Sequence, residues 1–270
     1  MDFFASLPEG LISDIISLTS AVDAARLSVI SRVFKAAAES DSVWGRFLPQ
    51  DLSDILLRSR SPVVFSNMKE LYFTLCNSPI LLDDGSKLSF SLDKSSGKKC
   101  FMIAARELDI TWGNKQYYWE LKPHPDSRFS EVANLRSVCW LDIRGVITTN
   151  MLSATTDYAA YLVFRLSDMA CGLESAKSLV RFVSQECDEE AENRADGVSL
   201  FGGQSNRRGG SQTSNELRRE RSDGWMEVEL GSFYNDQGDD GDVEARLIEI
   251  WDLNWKSGLI VEGIEFRPKS

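Results

Sequence analysis

One histidine, His124, is all the chain contains, and it stands between Pro123 and Pro125. The commonest general base and metal ligand is therefore missing from every position but this loop, which argues against a histidine-dependent catalytic triad. Cysteine is scarce in the same way. Cys76, Cys100, Cys139, Cys171 and Cys187 are odd in number and never spaced C-x-x-C, a pattern of reduced thiols and not of a disulfide framework or a zinc site. No apolar run approaches the roughly 20 residues of a membrane-spanning helix. Positive charge is in deficit: 30 Lys and Arg against 41 Asp and Glu leave a net −11. Phosphate backbones and anionic membrane surfaces are repelled on average, so neither nucleic acid nor membrane is expected as a partner. The opening Met1-Asp-Phe-Phe-Ala-Ser-Leu-Pro-Glu9 has no basic n-region and does not read as a secretory signal, so the protein is expected in the cytoplasm. Arg207-Arg208 and Arg218-Arg219-Glu220-Arg221 leave nuclear import open.

What is present fits a globular protein of one substantial domain and a smaller one: 270 residues, 43% hydrophobic and 26% charged. From Leu7 to Leu48 the apolar residues recur at helical spacing, Leu11, Ile12, Ile15, Ile16 and Leu18 first, then Leu27, Ile30, Val33 and Phe34. Pro8 suits a first helical turn, and two or three short helices are expected. Between Leu52 and Ser96, Ser66 or Asn67 caps a short helix reaching Cys76, an Asp84-Gly85 turn follows, and Asp93–Lys99 reads as polar and exposed. Beyond Cys100 the period becomes two. Residues 138–144, 158–166, 225–230, 243–251 and 259–266 alternate as strands, and many short strands without helical pattern imply an antiparallel β-sandwich. Glu186–Ser222 is acidic, then Gly-, Arg- and Ser-rich, and reads as a mobile surface loop whose shortening leaves the melting temperature nearly unchanged.

Within Ile103–Trp119, apolar positions rich in Ile, Tyr and Trp flank Gly113-Asn114, as in two short strands joined by a turn. The turn resets the face each strand presents, so Trp112 and Trp119 can converge at one end of a sheet as an aromatic platform. Core packing of both indoles is the alternative. Trp140, Trp225, Trp251 and Trp255 occupy alternating strands or strand ends and read as packing residues.

This stretch, with Val138-Cys-Trp-Leu-Asp-Ile-Arg-Gly145, Ser222-Asp-Gly-Trp-Met-Glu-Val228 and Trp255-Lys-Ser-Gly258, resembles the plant Nictaba-type lectin domain, the family of phloem protein 2, from about Cys100 to Pro268. Leu7-Pro-Glu9, Ala25-Arg-Leu-Ser-Val-Ile-Ser-Arg-Val-Phe-Lys35 and Ser40-Asp-Ser-Val-Trp44 resemble an F-box. The first resemblance implies a jelly-roll-like sandwich that binds sugar through Trp112, Trp119, Asp242 and Glu249. Here Asp242 stands where chitin-oligomer-binding lectins have glutamate. The second implies docking onto the Skp-type adaptor of an SCF (Skp–cullin–F-box) ubiquitin ligase, and through it a cullin, with Leu7, Pro8, Ile12, Ile15, Ile16, Leu27, Ile30, Val33 and Phe34 as contacts.

An Asp–Glu couple also suits a glycosidase, but seven residues apart on one regular strand the two carboxylates face opposite sides. Convergence requires Asp242 to lie in the loop before the strand. Asp236, Asp239, Asp240 and Asp242 with Gly238 and Gly241 lack the spacing of a calcium loop. The fold expected is thus a small helical F-box over residues 1–50, a connector over 51–99 and an antiparallel β-sandwich lectin domain over 100–270. The protein expected is a non-catalytic ligase subunit, without cofactor or metal, that recognises N-acetylglucosamine-containing or related glycans on target glycoproteins. The rivals are a lectin outside ubiquitination and an F-box adaptor whose β-domain grips protein.

Overall fold

The computed structural model describes residues 9–201 and 218–269. Chain contacts divide it into two compact units, one reaching Asp83 and taking in Ser89–Cys100, the other made of Asp84–Leu88 and the chain from Phe101 onward.

The first unit opens with four short helices, where two or three were expected: α1 (Glu9–Ser17), α2 (Ala21–Leu27), α3 (Arg32–Ala38) and α4 (Asp41–Phe47). Serines make the breaks. The hydroxyl of Ser20 accepts from the Asp23 amide at 3.1 Å, Ser31 from Phe34 at 3.3 Å and Ser40 from Ser42 at 3.3 Å, each satisfying a first-turn donor that the helix leaves orphaned. Helices α5 (Leu52–Leu57) and α6 (Met68–Asn77) follow, then strands β1 (Ile80–Leu82) and β2 (Leu88–Leu92). Asn67 caps α6 as expected, its side-chain oxygen accepting from the Glu70 amide at 2.8 Å. Trp44 is the hub of this unit. Fully buried, it donates its indole N–H to the Ala38 carbonyl at 2.7 Å and packs on the rings of Phe47, Tyr72 and Phe73. Lys99 departs from the exposed stretch expected of it, being buried with its ammonium 2.9 Å from Asp51.

Strand β3 (Lys99–Ala104) runs from the first unit into the second, where β4 (Asp109–Ile110), β5 (Trp119–Lys122), β6 (Val132–Leu135), β7 (Leu141–Thr148), β8 (Thr156–Cys171), β9 (Ala176–Phe182), a helix α7 (Asp188–Arg194), β10 (Asp196–Val198), β11 (Arg218–Glu220), β12 (Met226–Asn235), β13 (Asp242–Glu249) and β14 (Ser257–Pro268) follow. They form an antiparallel β-sandwich. One sheet runs β3-β14-β8-β12-β11, with β6 also on β14 and β5 on β6; the other runs β10-β9-β13-β7-β4. Phe182 of one sheet meets Phe233 of the other edge-on at 5.8 Å, and Gly145 lets the sheets close where a Cβ would stand 3.0 Å from both Ile264 and Leu108 side chains.

The outer faces are charged, yet largely buried. On the first sheet, Glu265 accepts from Arg221 at 2.7 Å and from Arg267 at 2.9 Å. Burial opposes its ionisation, but Arg221, Arg128 and Arg267 outweigh burial and bring the carboxyl down to about 2. Because the folded value lies below the unfolded one, the stabilisation is present above the unfolded carboxyl range and is lost as pH falls toward 2. Glu265→Gln is expected to cost roughly 3 kcal/mol at neutral pH, with the gap to wild type closing near pH 2 in urea titrations. A gap that persists at pH 2 would assign the loss to something other than the carboxylate.

On the second sheet, Arg246 makes a bidentate pair with Asp142 at 2.7 and 2.8 Å, and Arg181 meets Glu244 at 2.9 Å. Helix α7 covers this row: Glu192 reaches Arg246 at 2.7 Å, while Asp188 reaches Arg144 at 3.0 Å and pairs with Arg181. The expectation of one mobile loop over 186–222 is thereby corrected. Ala191, Val198 and Leu200 are buried, and the acidic residues that looked solvated are counter-ions for arginines of the sheet. Residues 202–217 of that segment lie outside the described residues. Excising 188–200 is expected to lower the melting temperature by roughly ten degrees, since it removes partners from buried guanidinium groups; an unchanged transition in calorimetry would contradict this.

Candidate functional site

The aromatic turn is not a hairpin within one sheet. Strand β4 pairs with β7 and strand β5 with β6, so residues 111–118 carry the chain from one sheet to the other. Consecutive tight turns accomplish the crossing: Gly113 N–H donates to Ile110 O at 2.7 Å, Lys115 N–H to Trp112 O at 2.9 Å and Tyr118 N–H to Lys115 O at 2.8 Å. Trp112 takes φ +60, a strained conformation for a bulky residue. Its indole is 38% exposed and lies against Tyr118, ring centroids 5.0 Å apart. Trp119 begins β5 opposite Leu135 and is only 3% exposed. Its indole N–H is buried without a hydrogen-bond partner among the described residues. The two tryptophans therefore differ: one offers a face, while the other is buried.

Glu249 ends β13 opposite Leu141, next to Asp142, whose carbonyl accepts from the Thr111 amide at 3.0 Å. It lies at the same end of the sandwich as Trp112. Its carboxylate is buried, accepting from the Asp252 amide at 2.8 Å and pairing with Lys256. The Lys256 ammonium is itself buried, and donates to the carbonyls of Cys139, at 2.9 Å, and of Asp252. Glu249 thus ties down residues 250–256.

Asp242 is elsewhere. It is the first residue of β13, opposite Thr148, whose hydroxyl donates to it at 2.8 Å. Strand β13 is regular for all eight of its residues, so seven steps separate the two carboxylates by about 23 Å. The expected convergence of Asp242 with Glu249 is corrected for that reason, and the pair is far beyond a glycosidase couple's spacing. Among the described residues no group of three or more His, Cys, Asp or Glu side chains is placed to hold a metal ion.

Four tryptophans expected to pack divide differently. Trp225 is buried, donating to Asp126 O at 3.0 Å beneath the Arg165 guanidinium. Trp140, Trp251 and Trp255 are exposed, and strand-end position was the only sequence signal for it. Tyr117, Arg136, Ser137 and Trp255 line an open depression of about 570 Å³.

On the helical unit, the candidate adaptor contacts also separate. Ile12 and Ile16 are buried, Leu27 and Phe34 are half-buried, and Ile15, Ile30 and Val33 are exposed beside Leu11, Leu18 and Val29. Leu7 and Pro8 lie outside the described residues.

The chain thus carries an exposed apolar helix surface in one unit and an aromatic-rimmed β-sandwich in the other. Residues 98–268 match the family model described as phloem protein 2. Over 98% of the chain it is 44% identical to F-box protein At2g02240 of Arabidopsis thaliana, covering 80% of that protein, and 43% identical to F-box protein PP2-B10 of the same plant, covering 94% of it. F-box protein PP2-B1, also from Arabidopsis thaliana, is 37% identical over 98% of the chain and 90% of its own length. The chain belongs to the family of plant F-box proteins that carry a C-terminal phloem protein 2 domain. Among solved structures, a family 35 carbohydrate binding module from Clostridium thermocellum aligns to 63% of this chain and 98% of its own at 11% identity with a TM-score of 0.35, a loose correspondence.

Proposed function

We propose that this protein is the substrate-recognition subunit of an SCF-type ubiquitin ligase, with residues 1–50 docking a Skp-type adaptor, residues 51–99 connecting, and residues 100–270 gripping a glycan on the target glycoprotein. One observation carries the reading. The chain presents an apolar surface on its helical unit, at Leu11, Ile15, Leu18, Val29, Ile30 and Val33, and an aromatic end on its sandwich, at Trp112, Tyr117, Trp140 and Trp255. No bond chemistry is assigned to either.

Sugar recognition needs a flat apolar face for the C–H side of a pyranose and polar groups for its hydroxyls. Trp112 supplies the face, supported by Tyr118. Trp119 is buried at the start of β5 with an N–H that no described residue satisfies, and Glu249 acts by fixing the adjoining loop. Trp112→Ala is therefore expected to weaken binding of N-acetylglucosamine oligomers about tenfold. Asp242, at the far end of β13, takes no part in this site, and Asp242→Glu is expected to change that affinity less than twofold. A glycan array probed with the full chain tests the reading. Retention of N-acetylglucosamine-containing or related glycans, lost in Trp112→Ala, is the expected result; a blank array from folded protein would leave the sandwich as a protein-binding domain.

A further inference from the structure

We infer that Ser61, on the helical unit, is a phosphorylation site for a proline-directed serine/threonine kinase, and that Arg60 holds the phosphate once it is attached. The chain has two Ser-Pro dipeptides, Ser61-Pro62 and Ser78-Pro79, and no Thr-Pro. The fold treats the two differently. A kinase must bring the hydroxyl in line with the γ-phosphorus of its nucleotide, so it acts on a segment that can leave the surface. Just before Ser61 the chain is anchored: the Arg60 amide donates to Leu81 O at 2.9 Å, and Ser59 bridges Leu82. There the anchoring ends. Among the described residues, 61–65 donate no backbone hydrogen bond to another backbone group, and the Ser61 carbonyl accepts only from the Ser59 hydroxyl, at 2.7 Å. Pro62 has no amide to satisfy and pushes Ser61 away from helical geometry toward the extended chain a kinase cleft takes. Ser61 and Pro62 are exposed and Val64 is 85% exposed, so lifting this segment costs no core.

Ser78 is exposed as well, but both its flanks are committed. Its amide donates to Thr74 O at 2.9 Å at the end of α6, Leu75 in that last turn is buried, and β1 begins at Ile80. Engaging it means unwinding a helix.

Charge favours a phosphate at Ser61. Between Asp54 and Glu70 the chain carries Arg58, Arg60 and Lys69 and no acid, in a protein with 41 acidic residues. Arg58 is occupied, its guanidinium reaching both Asp83 oxygens at 3.0 and 2.9 Å. Arg60 is exposed and pairs with no carboxylate among the described residues. A phosphoserine brings a charge of about −1.5 to −2 and three acceptor oxygens, which a neighbouring guanidinium meets with charge-assisted hydrogen bonds. The transfer itself needs a nucleoside triphosphate. Ser61 Oγ forms a bond to the γ-phosphorus as the bond to the β–γ bridging oxygen breaks; the hydroxyl proton passes to a carboxylate of the kinase, and the nucleoside diphosphate leaves.

The test incubates the full chain, and a peptide of residues 56–66, with a cyclin-dependent kinase or a mitogen-activated kinase, magnesium and adenosine triphosphate, and maps the phosphate by mass spectrometry. One phosphate at Ser61 is expected, absent in Ser61→Ala and attached about tenfold more slowly in Pro62→Ala. Both positions are exposed, so both variants are expected to melt with wild type. Labelling of neither chain nor peptide overturns the site, and so does labelling of the peptide while Ser61 of the folded chain stays bare or Ser78 is labelled in its place. Phosphorus NMR titration of the phosphorylated chain then tests Arg60. Arg60→Gln is expected to raise the second phosphate ionisation by about half a pH unit, and Lys69→Gln by much less. Equal shifts in the two variants would remove Arg60 as the group that holds the phosphate.

Discussion

Ile15→Asp is expected to abolish capture of a Skp-type adaptor, a loss of at least about a hundredfold, while the chain stays folded. Ile15 is 48% exposed, and its neighbours Leu11 and Leu18 on the chain, with Val29, Ile30 and Val33, are exposed too. A carboxylate placed in that surface has nothing to disturb within the protein, but on docking it is desolvated without a partner, at a cost of several kcal/mol. Ile16→Asp reads out differently. That side chain is fully buried, so its charge enters the core of the helical unit and the unit is expected to unfold. Pull-down beside circular dichroism separates the two. An Ile15→Asp chain that still retrieves the adaptor at wild-type levels would remove this face from the docking surface.

Glu249→Gln is expected to destabilise the sandwich by about 3–5 kcal/mol, because it leaves Lys256 charged and buried without its counter-ion. Any fall in sugar affinity would then come through the loop that Glu249 and Lys256 hold, and not from a lost contact to a hydroxyl. Glu249→Leu combined with Lys256→Met replaces the pair by apolar side chains of similar size. It is expected to recover most of the loss, a coupling measured in a double-mutant cycle by urea unfolding. Additive losses in the double mutant would show that the two residues act independently.

The helix periodicity before Leu48 is legible in the sequence, and so is the strand character of β8, β12 and β14, though Tyr158–Phe164 of β8 and Val261–Phe266 of β14 are buried on both faces. Strand β13 was harder. Every residue after Asp242 in it is buried, since α7 turns the polar side of Glu244 and Arg246 into a second interior. Alternation then no longer says which side meets solvent, and an acidic helix written as Asp188-Glu-Glu-Ala-Glu-Asn-Arg194 looks like a solvated loop until three arginines, one each from β7, β9 and β13, stand beneath it.

The candidate site shows the same limit. Trp112 and Trp119 flank a turn, as the sequence around Gly113-Asn114 indicates, but a turn that crosses between sheets gives its two ends different surroundings, so one indole is exposed and one is buried. Trp140 and Trp255 sit in strand-like sequence, and their exposure follows from the Val138–Lys256 bridge that holds both segments at the sandwich's end. Such a bridge joins residues more than a hundred positions apart, beyond the reach of local pattern. Asp242 and Glu249 were paired by resemblance; the straightness of the strand between them is what separates them.

The most direct measurement couples both units in one experiment. Beads bearing N-acetylglucosamine oligomers are incubated with purified Skp-type adaptor, with and without this chain. The expected result is adaptor on the beads only when the chain is present, lost with either Ile15→Asp or Trp112→Ala and displaced by free oligomer. Adaptor bound by the chain in solution but never retained on glycan beads would contradict the account.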